Sequence, residues 1–221
     1  TYRKRIANKM TPPEMTVVFV APDDFDTLRD VVNAVRKQTV VGKLEALIML
    51  PSSAVETVEK ALFANFHSHR VIAIPAGTPT FEARALAPHE AFAPYIAYTE
   101  DHSFPHPDWA EHLLAAFNAD PKCDAVGVAI ENANPRTATS LADTLLNMGP
   151  YLLPYVGGNW LHLPWHNTAY RRQALLRQGD ELVGLLDSEG LLFQKLTEQG
   201  SKLFMSEKAR TRHINVDRYP A

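Results

Sequence analysis

Residues 16–21 read TVVFVA, a short apolar run that is rich in β-branched side chains. Such a run is typical of a strand that is buried on both faces of a parallel sheet. After Pro22, apolar residues recur at intervals of three and four between Leu28 and Val35, which predicts an amphipathic helix ending near Gln38. The sequence therefore begins its regular part with a strand followed by a helix.

This alternation repeats through the chain. We predict further strands at residues 44–50, 70–74, 94–99 and 124–130, and further helices at residues 54–66, 81–90, 169–178 and 187–199. Ser53 is the expected N-cap of the helix over 54–66, and Gly200 is the expected stop of the last helix. Because short loops cannot join parallel neighbours, this alternation favours right-handed crossovers. The predicted fold is a single α/β domain with a mostly parallel central sheet flanked by helices.

Length and composition agree with one globular domain. The 221 residues are 46% hydrophobic and 21% charged, which are ordinary values for a globular protein. We predict a leader or flexible arm at residues 1–14, which are basic and contain Pro12 and Pro13, and a domain over residues 15–221. The ending VDRYPA leads us to expect that this domain is cut short at its C-terminal side.

Charge and hydropathy exclude several classes of partner. A net charge of −3 and a pI near 6.3 give no reason to expect a nucleic acid or an anionic membrane as the main partner. No apolar run reaches the roughly eighteen residues of a transmembrane segment. The single cysteine, Cys123, cannot form an internal disulfide. These features predict a soluble cytoplasmic domain, with a peripheral position at the inner membrane surface as an option.

The predicted strand ends mark the expected ligand site. In open α/β sheets, ligands lie outside the carboxyl ends of the strands. This rule selects the loops that begin at Pro22, Pro51, Ala76 and Glu100. The loop at residues 149–165 contains three Gly, three Pro and several aromatic residues, and loops of this length are commonly lids or acceptor-binding walls.

The most informative loop begins Glu100-Asp101-His102, directly after an apolar strand. Two acids and a histidine at this place offer oxygen and nitrogen ligands to a divalent cation. Such a cation stabilises, as a Lewis acid, the negative charge that develops on a departing diphosphate. A helix N-terminal acid pair or a solvated turn is the alternative explanation. His67 and His69 lack nearby cysteines or a second spaced pair, so a zinc site is disfavoured there.

This stretch resembles the metal-binding region of glycosyltransferase family 2, where an apolar strand runs into acids and then into a proline and a helix, here opened by Pro107-Asp108-Trp109. The resemblance implies a GT-A fold, a nucleoside diphosphate sugar as donor, and Mn²⁺ or Mg²⁺ as cofactor. It places Glu100 and Asp101 at the nucleotide sugar and assigns metal binding to Asp101 and His102. His102 stands where the family usually has an aspartate, so one negative charge is lost.

A second motif, Asp187-Ser188-Glu189 followed by an apolar helix and Gly200, resembles the acidic motif of the same family. Counting back from Gly200, the resemblance implies that Glu189 is the general base. It would take the proton from the acceptor hydroxyl, giving inversion by direct displacement. Asp187 is the fallback base. The helix dipole also favours acids at a helix start, which is the structural alternative.

Three further segments extend the resemblance over nearly the whole chain. Ala83-Arg84 resembles a site whose arginine reaches the nucleotide, with an exposed helix arginine as the alternative. His213 resembles a late histidine that joins the metal or the diphosphate, although a lone histidine is more often structural. The segment that begins His166-Asn167 resembles the acceptor side of the family site.

Nucleotide recognition departs from the family pattern. The second strand of the family usually ends in an acidic pair, but here it ends Leu50-Pro51-Ser52-Ser53, without a carboxylate. Base recognition is therefore expected from Ser52, from main chain near Pro22, and from Asp23 or Asp24. In the 149–165 loop, Trp160 is expected to stack on an acceptor sugar, with core packing as the alternative.

Together these features predict a metal-assisted, inverting glycosyltransferase that moves a sugar to a hydroxyl of a saccharide or lipid-linked acceptor, with a homodimer as an option. Two alternatives stay open. A non-catalytic relative is favoured by the missing second-strand acid and by His102. A sugar nucleotidyltransferase would need a Gly-rich basic loop after the first strand, but residues 21–27 read APDDFDT.

Overall fold

The computed structural model describes residues 11–218. Most of the predicted leader, at residues 1–10, lies outside the described residues. Beside the first strand, the Glu14 N–H donates to the Lys43 carbonyl at 2.8 Å. His67 Nε2 donates to the main-chain oxygen of Thr11 at 2.8 Å. His67 therefore anchors the start of the described chain, and it forms no metal-ligand cluster with His69 within residues 11–218.

The strands of the described residues form one mixed sheet. They are β1 (Met15–Val20), β2 (Leu44–Pro51), β3 (Ser68–Ile74), β4 (Tyr95–Tyr98), β5 (Ser103–Pro105), β6 (Cys123–Asn132), β7 (Gly158–Asn159), β8 (Ala169–Arg171) and β9 (Lys202–His213). Their order is β3-β2-β1-β4-β8-β6-β9-β5, and β7 pairs with β9. β3, β2, β1 and β4 are parallel neighbours, as the alternating pattern predicts. β8 runs antiparallel to β4 and β6, so the sheet is mixed in its second half.

Helices cover both faces of this sheet. They are α1 (Arg29–Val35), α2 (Thr80–Glu90), α3 (Trp109–Ala119), α4 (Ala138–Met148), α5 (Arg172–Leu176), α6 (Leu182–Asp187) and α7 (Glu189–Glu198). Within residues 11–218, none of them has the length and apolar character needed to cross a membrane.

The core lies on the two faces of the sheet. Along β1, Val17 and Phe19 belong to one buried cluster and Val18 belongs to the other. Successive side chains of a strand point to opposite faces, which explains why β1 reads as a continuous apolar run. α1 covers the first face and α2 covers the second. Each fully buried side chain of this kind stabilises the fold by roughly 1.5–3 kcal/mol.

The prediction of an α-helix over residues 54–66 is wrong. Two 3₁₀ segments, Ser52–Thr57 and Lys60–Phe63, occupy this stretch. Its β-branched residues lose side-chain freedom in an α-helix, which lowers their helix propensity. Ser53 lies inside the first 3₁₀ segment and caps no helix.

The second half of the chain departs further from the predicted elements. The helix predicted over 169–178 begins instead as β8, because residues 169–171 are drawn into the sheet between β4 and β6. The helix predicted over 187–199 is interrupted at Ser188, where α6 ends and α7 begins. Gly200, at φ +83°, follows α7 as predicted. α4 and β9 were not predicted, and β9 carries His213 to the end of the sheet.

Candidate functional site

A cleft of about 230 Å³ opens at the carboxyl ends of β1 and β4. Because these strands are parallel neighbours, the loops that follow them meet at one edge of the sheet. Two other cavities in the described residues are larger, at about 360 and 390 Å³, but more titratable side chains line this cleft. Its lining residues are Val20, Pro22, Thr80, Arg84, Thr99, Glu100, Asp101, His102 and His166.

Three side chains could hold a divalent cation: Glu100 and His102, which line this cleft, and His213, which lies next to Glu100. One ligand atom from each lies within 4.8 Å of the others. His213 Nε2 is 3.2 Å from Glu100 Oε2, and His102 Nε2 is 3.9 Å from Glu100 Oε1. A mixed set of carboxylate oxygen and imidazole nitrogen suits Mn²⁺ or a later transition metal better than Mg²⁺.

Asp101 lies beside this cluster and orients one of its histidines. Its Oδ1 accepts a hydrogen bond from His102 Nδ1 at 2.6 Å, which leaves His102 Nε2 directed towards Glu100. A carboxylate behind a metal-binding histidine commonly fixes the ring in this way. The sequence predicted Asp101 as a metal ligand, and both Glu100 and Asp101 as contacts to the nucleotide sugar. The structure instead groups Glu100 with the two histidines, and Asp101 contacts His102.

The histidines around the two acids change the pKa of each carboxyl group. Burial acts to raise the pKa of Glu100. The hydrogen bond from His213 and the positive charges of nearby histidines outweigh burial, and the pKa falls to about 2. The hydrogen bond between Asp101 and His102 lowers the pKa of the carboxyl group and raises the pKa of the imidazole. Both carboxylates are therefore ionised at neutral pH.

Two buried asparagines hold the cluster in place. Asn167, which is 3% exposed, donates from Nδ2 to Glu100 Oε2 at 2.7 Å. Asn215 Nδ2 donates to the His213 carbonyl at 3.0 Å, so its Oδ1 faces His213 Nδ1 at 3.2 Å. The sequence placed Asn167 at the acceptor, whereas its amide lies against Glu100. Asn215 was not predicted from the sequence, where its place two residues after His213 was the available signal.

Arg84 and Glu189 form a buried charged pair next to the cleft. Arg84, on α2, is 4% exposed and still lines the cleft. Its carbonyl accepts from the Tyr98 hydroxyl at 2.9 Å, and its Nη1 contacts His166 Nδ1. Arg84 Nη1 also lies 3.9 Å from Glu189 Oε1. The buried guanidinium can meet a phosphate with several donors.

Glu189, the predicted base, is 1% exposed and lies at the start of α7. Its Oε1 accepts from the His166 N–H at 2.8 Å, and its Oε2 accepts from the Tyr170 hydroxyl at 2.7 Å. Glu189 is not among the residues that line the cleft, whereas His166 is. Asp187, the fallback base, is exposed at the end of α6. Neither carboxylate faces the cleft.

The remaining predicted contacts lie at different distances from the cleft. Pro22 lines it, whereas Asp24 is exposed and its Oδ1 accepts from the Asp26 N–H at 2.8 Å. Ser52 is exposed at the end of β2, outside the cleft lining. Trp160 packs edge-on against Tyr155, with ring centroids 5.2 Å apart, and is also absent from the lining.

Solved structures show which class of protein has this fold. The chain is similar to the crystal structure of GalNAc-T7 with UDP, GalNAc and Mn²⁺, with a TM-score of 0.65 and 17% identity over 92% of this chain and 44% of that one. It is also similar to S. aureus TarS 1–349 in complex with UDP, with a TM-score of 0.66 and 12% identity over 90% of this chain and 60% of that one. The fold is that of the GT-A glycosyltransferases.

The family follows from the sequence match. The family described as Glycosyl transferase family 2 matches residues 16–178, and the chain belongs to this family. No curated protein sequence matches the chain significantly. The chain spans less than two thirds of the length of the solved structures described above.

Proposed function

We propose that this chain transfers a sugar from a nucleoside diphosphate sugar to a hydroxyl of a saccharide or lipid-linked acceptor, with inversion and with help from a divalent cation. The observation that carries the proposal is the meeting of Glu100, His102 and His213 beside Arg84 at one sheet edge. This edge of the sheet combines a potential cation site with a buried guanidinium, and each can bind the oxygens of a diphosphate.

The cation site supports metal assistance. Glu100, His102 and His213 would hold the ion, and Asp101 would keep His102 oriented. When bound, a cation there supplies positive charge that stabilises the departing diphosphate. The donor set favours Mn²⁺ over Mg²⁺, and GalNAc-T7, a structural neighbour, was crystallised with UDP and Mn²⁺.

The donor would lie along the cleft. Arg84 would bind a phosphate oxygen, because a guanidinium makes charge-assisted hydrogen bonds to phosphate. Asp101 is 38% exposed at the cleft and would accept from a sugar or ribose hydroxyl. Pro22 would contact the nucleotide at the end of β1, and the exposed Asp24 and Ser52 remain the proposed contacts to the base. Trp160 remains a proposed contact to the acceptor. A homodimer also remains a proposal.

A non-catalytic relative that binds nucleotide sugars is the second candidate. Two observations favour it: Glu189 is buried and does not line the cleft, and Asp187 is exposed and does not line it either. Such a protein would bind the diphosphate with the cation but would not turn over the donor. The nucleotidyltransferase alternative has no support from the loop after β1, which is acidic and lacks glycine.

Calorimetry with UDP, GDP, ADP and CDP, each with and without Mn²⁺, tests the proposal. We expect one diphosphate to bind about tenfold more tightly with Mn²⁺, and His213→Ala to remove most of this gain. His112→Asn, an exchange on α3 outside the cleft, is the matched control. The sugar nucleotides of the bound base are then assayed, with saccharide and lipid-linked acceptors present, for release of the diphosphate. Binding without release would establish the non-catalytic candidate, and no binding to any diphosphate would refute both.

A further inference from the structure

The helix α4 turns polar residues towards the sheet and apolar residues towards solvent. Ser140 and Thr144 are its buried residues. The Asn132 amide, at the end of β6, donates to the hydroxyl oxygens of both, at 3.0 and 2.6 Å. Leu145 is 65% exposed, and Leu146 is 81% exposed. A helix of a globular protein normally buries its apolar side, so these leucines indicate an apolar ligand or partner that covers them.

A groove of about 390 Å³ lies beside these leucines. α4 contributes Leu141 and Leu145 to its lining, and the segment after α4 contributes Leu152 and Leu153. This segment is held against the sheet by a bridge between Leu152 and Ile130 of β6. A concave site of this size, lined mainly by aliphatic side chains, suits a small molecule with a large apolar surface. A single hydrocarbon chain has this shape and chemistry.

The groove lies at the same sheet edge as the candidate cation site. β4 and β6 both run antiparallel to β8, so their carboxyl ends share one edge. Glu100 follows β4, and Asn132, which lines the groove, pairs in register with His213 of the cation cluster. Asn134 also ties the two places together, because it donates to the Asn215 carbonyl and accepts the Asn215 N–H, both at 2.8 Å. A molecule in the groove can therefore have one end close to the proposed site of transfer.

The charges around the groove complement an uncharged chain with an anionic head. Neither α4 nor the groove lining contains Lys or Arg, whereas helices that lie on anionic membranes carry them on the polar side. Glu131, the acid of the lining, lies 3.0 Å from His106 Nε2. Exposed Arg136 directly precedes the cap of α4, and exposed Arg212 directly precedes His213. A phosphate that links the chain to its head would meet these guanidinium groups at the side of the cation site.

We propose that the groove between α4 and residues 152–153 binds the acyl or isoprenoid chain of a lipid-linked acceptor. The inference rests on the glycosyltransferase function proposed above and selects the lipid-linked class from the two acceptor classes named there. The chain lies along Leu141 and Leu145, and the head of the acceptor lies on the side of Arg136 and extends towards the cation site. No bond forms or breaks in the groove, so it contributes to the affinity for the acceptor.

Calorimetry with hexyl, octyl and decyl phosphate tests the groove in the full chain, treated with a chelator and without a donor. We expect the dissociation constant to fall by about fourfold for each further methylene that is buried. Leu145→Gln should remove this dependence on chain length, because it places an amide beside the chain. Leu86→Gln, which alters an exposed leucine on α2, is the matched control and should bind like the wild type. Thermal unfolding of both variants should match the wild type, since both side chains are exposed.

Kinetics supply the second readout, with the sugar nucleotide that the wild type consumes and with hexyl, octyl and decyl glycosides as acceptors. We expect KM for the acceptor to fall as the chain lengthens, while kcat stays within about threefold, because contacts remote from the reacting atoms bind the substrate and the transition state equally. In Leu145→Gln, KM should no longer depend on chain length. Leu86→Gln should keep the wild-type dependence.

The two readouts separate the possible failures. Affinity that does not change with chain length, or a change that Leu145→Gln retains, would overturn the groove while leaving the glycosyltransferase function standing. Light scattering and flotation with phosphatidylcholine vesicles test the other occupants. A dimer or a vesicle complex that Leu145→Gln abolishes, in a protein that does not bind decyl phosphate, would assign this face to a second copy or to a bilayer and reject the proposal. Binding that depends on chain length, in a protein that consumes no sugar nucleotide, would support the groove but overturn the proposed function and the acceptor role of the lipid.

Discussion

Replacing Glu100 with glutamine should make the metal-free protein less stable at neutral pH and remove part of its sensitivity to acid. The Glu100 side chain is 15% exposed, and its pKa in the folded protein is about 2, against an ordinary value of 4.5. This difference corresponds to about 3 kcal/mol in favour of the folded state when the carboxyl group is ionised. Glutamine keeps the size of the side chain but has no charge to pair with the histidines.

The direction of the pH effect follows from the sign of the pKa change. Because the pKa is lower in the folded protein, the stabilising contribution is complete above pH 4.5 and is lost as the pH falls towards 2. Below pH 4.5 the Glu100 carboxyl group is protonated in the unfolded chain but stays ionised in the folded protein until the pH approaches 2. The wild type should therefore lose about 1.4 kcal/mol per pH unit relative to Glu100→Gln in this range.

Urea denaturation of chelator-treated protein, from about pH 7 to about pH 3.5, measures this difference. We expect a gap of at most about 3 kcal/mol between wild type and Glu100→Gln at neutral pH, narrowing below pH 4.5. Glu56→Gln, which alters an exposed carboxylate, is the matched control and should track the wild type. A gap that stays constant over the whole range would refute the inference that Glu100 is an ionised group paired with histidines.

Three further predictions concern the donor site and the scaffold. Arg84→Lys should weaken diphosphate binding in calorimetry by about tenfold, because a lysine cannot reproduce the planar fork of a guanidinium; unchanged affinity would contradict contact with phosphate. Gly127→Ala should cost about 1–3 kcal/mol in thermal unfolding, since a β-carbon there would lie 2.8 Å from a Pro164 side-chain carbon; an unchanged Tm would contradict this crowding. Thr137→Ala should cost about 1 kcal/mol, because the Thr137 hydroxyl caps α4 by accepting from the Ser140 N–H; Thr137→Ser is its control and should keep most of the stability.

Local patterns predict the first half of the fold well and the second half poorly. β1 and β2 are buried on both faces, so their apolar runs are visible in the sequence. β9 was missed because its twelve residues include exposed charged positions, and pairing with three other strands stabilises it. The contacts that make these residues a strand come from distant parts of the chain, and a local pattern does not record them.

The candidate site shows the same division. Adjacent acids after β4 were enough to locate the cleft, because strand ends gather ligands in this class of sheet. Which of Glu100 and Asp101 joins the histidines depends on side-chain direction, which adjacent letters of a sequence do not give. The burial of Glu189 was equally invisible, since it depends on Tyr170 and on the turn at His166.

The place of His213 at the end of β9 would make binding of the proposed cation depend on the completed sheet. Glu100 follows β4, whereas His213 is brought beside it by the pairing of β9 with β6 and β5. An ion that needs both side chains binds the finished sheet and not its partly assembled precursors, so it favours the final state by mass action. If the proposed cation binds, its affinity would also report whether the C-terminal strand is in register.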